Sequence, residues 1–180
     1  MSIKHLYCLT ILGLIVAPMA LNPGLAYAGE TENTDKRLPL YRLYSPHTGD
    51  HFHSVSLDER DRATANFRYV YEGLTGYVHN DQIAGTEMLW RLYNRDVTDH
   101  FLTTSMAERD SAMSKGYELE SVIGYIHPVQ ITDTKPVYRL YNRGTVDHFF
   151  TDSLAEKDRL VASGWVFEGI TGYVHVSSQP

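Results

Sequence analysis

Apolar and polar residues alternate in short bursts along most of this chain. Tyr41-Arg42-Leu43-Tyr44 has the two-residue period of a strand, with Tyr41 and Leu43 on one face and Arg42 and Tyr44 on the other. The same burst returns as Trp90-Arg91-Leu92-Tyr93 and Tyr138-Arg139-Leu140-Tyr141. A run rich in Pro, Gly, Asn and Asp follows each one, and such residues turn a chain. A second strand is predicted to start at Asp50-His51-Phe52, Asp99-His100-Phe101 and Asp147-His148-Phe149, completing a β-hairpin. Ser56, Ser105 and Ser153 then stand three residues before Glu59, Glu108 and Glu156, three capping boxes that predict helix starts. Leu57, Met106 and Leu154 supply an apolar anchor in the first turn, extended by Ala112, Met113, Leu160 and Val161. Gly116 and Gly164 suit a left-handed helix end; in the first helix, Asn66 is the candidate for that conformation, with Arg68 at the matching place. An aromatic extended stretch follows, passes through glycines, and enters a closing strand that ends in His79, His127 or His175.

The three bursts begin 49 and 48 residues apart, a period that marks a repeat architecture. Each repeat reads as β-β-α-β-β, over 38–85, 86–134 and 135–180. No unit of this size buries a face alone. The expected fold is therefore mainly β with three short helices, the repeats closed around a pseudo-threefold axis in a β-trefoil-like domain. A small propeller-like ring is the alternative.

The ends change the picture. Lys4, the apolar run Leu6 to Ala20 and Ala26-Tyr27-Ala28 have the form of a signal peptide over residues 1–28. Residues 29–37 are polar and read as a flexible leader. Removing 28 of the 180 residues leaves 152, without a cysteine, so packing rather than disulfides must hold the exported domain. Localisation is expected to be secreted or periplasmic, with no membrane span after cleavage. The formal charge of −6 argues against nucleic acid as a partner but does not bear on neutral glycans.

Candidate chemistry lies at the repeated positions. Arg42, Tyr44, Asp50 and His51, with Arg91, Tyr93, Asp99 and His100, and Arg139, Tyr141, Asp147 and His148, offer flat aromatic rings beside donors and acceptors. Sugar faces and hydroxyls need that combination. No catalytic residue, metal or cofactor is assigned. His51, His100 and His148 converging on the axis would be the zinc alternative, and no recurring serine or cysteine nucleophile accompanies the Asp-His pairs. Glu59, Glu108 and Glu156 beside Asp61, Asp110 and Asp158 are explained by capping and a solvated helix face. His79, His127 and His175 fit structural hydrogen bonding equally well.

Through Tyr138 to Asn142, His148 to Thr151, Ala155 to Asp158 and Gly164 to Gly169 the chain resembles a secreted domain-of-unknown-function repeat family. The first two repeats carry weaker copies, departing at His53 and at Glu120-Ser121. The resemblance implies an exported accessory module, sometimes attached to cell-wall or peptide hydrolases, and transfers no catalytic residues. The resulting expectation is a non-catalytic module that binds carbohydrate or a cell-envelope glycan. A protein-interaction or inhibitor domain is the second reading and a metal-dependent hydrolase the third.

Overall fold

The computed structural model of this protein describes residues 36–179. The segment read as a signal peptide, 1–28, and most of the residues read as a leader lie outside the described residues. The strands are β1 Arg37–Tyr44, β2 His51–Ser54, β3 Val70–His79, β4 Glu87–Asn94, β5 Asp99–Thr103, β6 Glu118–Ile126, β7 Thr134–Asn142, β8 Asp147–Thr151 and β9 Val166–His175. The helices are α1 Leu57–Phe67, α2 Met106–Met113 and α3 Leu154–Ala162. The described residues are thus mainly β with three short helices. β1 begins at Arg37, inside the segment read as leader, because Arg37 pairs with His79.

All nine strands belong to one antiparallel sheet of order β5-β4-β6-β3-β9-β7-β8, from which β1 and β2 branch at β3. It is built from three-stranded ladders, β2-β1-β3, β5-β4-β6 and β8-β7-β9, each a hairpin with the third strand on its other side. The expected last two strands of each unit are one continuous strand. The glycines between them produce register shifts rather than a break. The shifts flank Tyr41-Arg42, Trp90-Arg91 and Tyr138-Arg139, and the extra residues lie on the long partner strands, among them Glu72, Glu120 and Glu168.

Helix starts follow the sequence, but through different bonds. Ser56, Ser105 and Ser153 accept from the N–H of Glu59, Glu108 and Glu156. The reciprocal half of the capping box is absent. The serine N–H instead donates to the hydroxyl two residues earlier, Ser54, Thr103 or Thr151. That hydroxyl in turn donates to the glutamate. Each glutamate is thereby kept free to reach a neighbouring ladder. The expected first-turn anchors do not pack: Leu57, Met106 and Leu154 are exposed, and among the described helix residues only Ala63 and Ala112 are buried. Short helices held at their N-termini by ionic contacts need little apolar face. At the far ends, Gly116 and Gly164 have φ of 96° and 103°, as expected. In α1 the left-handed residue is Arg68 (φ 60°), not Asn66, and its N–H reaches back to the Ala63 carbonyl.

The main core gathers Leu40, Leu89 and Val137 from the first strands of the ladders with Val78, Ile126 and Val174 from the last. Here the ladders meet. Tyr77 pairs with His175, His79 with Tyr125, and His127 with Tyr173. Approach is close enough to require glycine. A Cβ on Gly76 would overlap the Val174 side chain, one on Gly124 would lie 2.5 Å from Val78, and one on Gly172 2.9 Å from Ile126. Gly124→Ala, also strained by a φ of 149°, should cost about 2 kcal/mol or more in urea unfolding. Gly144→Ala, facing only a flexible Asn142 side chain at 3.3 Å, should stay within about 0.5 kcal/mol.

Candidate functional site

Of the twelve sequence-predicted residues, the aspartates and histidines pair across ladders, the tyrosines stack on the histidines of their own hairpins, and the arginines turn to glutamates outside the set. Asp50 accepts from the backbone N–H of His100 at 2.9 Å and from its Nδ1 at 2.8 Å. Asp99 does the same for His148, at 2.7 and 2.6 Å, and Asp147 for His51, at 3.1 and 2.9 Å. The first ladder thus grips the second, the second the third, and the third the first. Each imidazole stacks on the tyrosine of its own hairpin. The centroids are 4.5 Å apart for Tyr44–His51, 4.3 Å for Tyr93–His100 and 4.6 Å for Tyr141–His148. A carboxylate can only accept, so each Nδ1 carries the proton and each Nε2 turns outward, 3.7–3.9 Å from Glu72, Glu120 or Glu168.

The residue before each aspartate is left-handed: Gly49, Thr98 and Val146, with φ of 86°, 55° and 56°. For β-branched Thr98 and Val146 that conformation is strained, and it is held where the turn must present a buried carboxylate. Asp50 and Asp99 are fully buried, and Asp147 nearly so. Tyr69 and Tyr117 complete the first two by donating their hydroxyls. Burial first, then the adjacent carboxylate, pushes both phenols well above their ordinary range. In the third ladder Trp165 stands at the corresponding place. Among the described residues Asp147 is bonded by His51 alone, and burial raises its carboxyl despite that partner.

The arginines are committed in the same way. Arg91 places both terminal nitrogens on Glu59, at 2.9 and 2.8 Å, and its Nε on Glu120 at 2.7 Å. Arg139 grips Glu108 at 2.9 and 2.9 Å with its Nε 2.9 Å from Glu168. Arg42 grips Glu156 at 2.8 and 3.4 Å with its Nε 2.9 Å from Glu72. Phe149, Phe52 and Phe101 cover the guanidinium faces of Arg42, Arg91 and Arg139. These are bidentate, shielded pairs. Burial alone would raise the carboxyls of Glu59, Glu108 and Glu156, yet the arginine hydrogen bonds and charges hold all three below the ordinary value.

His51, His100 and His148 do not form a metal-type cluster. Two other sets do, with ligand atoms within 4.8 Å of one another: Asp50, Asp99 and Asp147, and His79, His127 and His175. The spacing of three closing histidines was legible in the sequence; which histidine triplet converges was not.

Among the accessible hollows are a 350 Å³ cleft between the second and third ladders and a more open 400 Å³ hollow at Ser153, Glu156 and Arg159. Tyr141, His148 and Phe101 give the cleft aromatic walls, and Asn94, Ser111 and Lys115 supply polar groups. Two smaller hollows, of 210 and 270 Å³, lie over Arg139–Glu108 and Arg42–Glu156. Among the described residues no helix is long and apolar enough to cross a membrane.

Two outcomes follow from these pairings. Arg91→Ala leaves Glu59 and Glu120 without their common cation and should cost about 3 kcal/mol in denaturant unfolding. His53, 1% exposed, gives a pH signature. Burial, then the charges of Arg42 and other neighbours, lowers its pKa well below 6.5. The unfolded chain then binds more protons than the folded one below that value, so stability falls as pH drops through 6.5, by up to about 1.4 kcal/mol per unit. The glutamates add a second loss only below 4.5, whereas Asp147, shifted upward, opposes it. His53→Leu, matching Leu102 at the corresponding register position, should flatten the upper limb in stability measured from pH 7 to 5.

Comparison with known proteins adds one assignment. No curated protein and no solved structure matches the chain. A family model described as a domain of unknown function, DUF5648, matches residues 22–127 and 120–179, and the chain belongs to that family.

Proposed function

We propose that this protein is an exported, non-catalytic binding module that recognises carbohydrate, a cell-envelope glycan in particular. The observation that carries the reading is the cleft at Tyr141 and His148. Its volume suits one or two sugar rings. The cleft is lined both by aromatic side chains, which suit the apolar side of a pyranose, and by amide, hydroxyl and ammonium groups, which suit its hydroxyls. The aspartates and arginines of the predicted set serve this site indirectly: by fixing His148 and the hairpins, they preorganise it. The signal-like segment over residues 1–28 supports export, and the ring of contacts linking each ladder to the next supports a β-trefoil-like, pseudo-threefold arrangement of three repeats.

A second reading, a protein-interaction domain, draws on a different surface. Tyr71 and Leu74, Leu119 and Val122, and Phe167 and Ile170 are exposed at corresponding positions beside the bulges, and Phe67 at the end of α1 is 68% exposed. Such apolar rows suit a protein partner.

A glycan array probed with the full chain separates the two. The expected result is saturable binding that weakens about tenfold in a folded Tyr141→Ala variant, a loss of roughly 1.4 kcal/mol. A blank across a broad panel would overturn the glycan reading, and binding unchanged in Tyr141→Ala would move the site elsewhere.

A further inference from the structure

We propose that His79, His127 and His175 form a transition-metal site, best suited to zinc, where the three ladders meet. The three rings are buried, at 1%, 6% and 4% exposure. They do not stack. Their planes stand at 81–88° to one another with centroids 4.8–5.4 Å apart, so ring edges rather than faces converge. The atoms that meet are all Nε2: His79 lies 3.1 Å from His127 and 2.9 Å from His175.

Proton counting makes that convergence unusual for protein alone. Nδ1 of His127 lies 3.2 Å from the carbonyl oxygen of Gly85. A carbonyl only accepts, so Nδ1 holds the proton and the Nε2 of His127 presents a lone pair. A proton on the Nε2 of His79 satisfies that contact, but the Nε2 of His175 must then share the same hydrogen. If His79 instead carries its proton on Nδ1, its lone pair faces that of His127. One hydrogen bond at most is well made among three nitrogens. Charging a ring to supply a second proton places an imidazolium in an apolar core beside Val78, Ile126 and Val174.

A cation that accepts all three lone pairs removes the conflict. Zinc–nitrogen bonds of about 2.0–2.1 Å at tetrahedral angles place ligand nitrogens about 3.3 Å apart, close to the separations present. Imidazole nitrogens favour zinc, copper and nickel over magnesium or calcium. The Gly85 carbonyl is the outer partner that fixes a ligand histidine's tautomer. The scaffold is rigid: each histidine stands three residues after a glycine that admits a neighbouring ladder, and each takes part in a pairing between ladders. Three protein ligands leave one position for water. The ion's role is to tie the three strand ends together, independently of glycan binding at the Tyr141 cleft.

The test uses the full chain without an affinity tag, stripped with chelator and titrated with Zn²⁺ and separately with Co²⁺. Expected are one ion per chain by elemental analysis, the visible bands of four-coordinate cobalt(II), and a rise in Tm on adding zinc. His127→Ala should weaken binding more than about 100-fold, beyond what losing an outer partner costs. His47→Ala, at an exposed turn, should bind as the parent does. His5, in the N-terminal segment, is present in every variant, so adventitious binding there persists in His127→Ala. Failure of the stripped parent to bind, or undiminished binding by His127→Ala, overturns the proposal. Should His127→Ala not fold, nitrogen-15 spectra of the parent's histidine rings decide: zinc must shift three Nε2 resonances together, and an unchanged spectrum refutes the site.

Discussion

A charge taken out of water must find its partner, and in this protein each seam aspartate and each strand arginine takes at least one partner from another ladder. That constraint organises everything else. Asp50, Asp99 and Asp147 are buried, and the arginine and histidine of their own hairpins are engaged elsewhere; the backbone N–H and ring Nδ1 of a histidine on an adjacent ladder donate to them instead. Arg42, Arg91 and Arg139 are shared between a glutamate of their own ladder and one from the neighbouring helix start. A single ladder separated from the others would expose its apolar face and lose the partners of its seam aspartate and strand arginine. The contacts make the three ladders interdependent, which favours cooperative folding.

The same demand explains local features that look anomalous in isolation. The bulges of the long strands set out Glu72, Glu120 and Glu168, the glutamates that meet the Nε of Arg42, Arg91 and Arg139. The capping glutamates abandon their local role and leave it to Ser54, Thr103 and Thr151, since an arginine from the next ladder holds them more strongly. Thr98 and Val146 accept left-handed backbone so that the following aspartate enters the seam. The three helices can be short and mostly exposed because their N-termini are tied down ionically.

Function is left to whatever this framework does not consume. Most of the chemically suggestive side chains singled out in the sequence are occupied in holding the ladders together, so the binding site proposed above uses the outward faces of the same groups. Tyr141 and His148 illustrate this: one edge of the imidazole locks to Asp99, while the stacked pair walls a cleft. The histidines at the opposite ends of the long strands are different, because they have converged on one another.

Local order was written in the sequence. Alternation gave the hairpins, Ser-x-x-Glu the helix starts, and Gly116 and Gly164 the helix ends, because each depends on bonds within a few residues. The last strands ran on through glycines read as bends, since a bulge and a break use the same residue. The left-handed Arg68 was invisible because only the surrounding fold stabilises that conformation for a side chain of its kind. The site was legible as a set of residues and not as an arrangement. Nothing in Asp50-His51 tells that Asp50 answers His100 while His51 answers Asp147. Nor does the motif tell that the closing histidines, rather than those of Asp-His-Phe, meet. Such partnerships join residues 48 to 96 positions apart, and only packing of the ladders, through Gly76, Gly124 and Gly172, decides them.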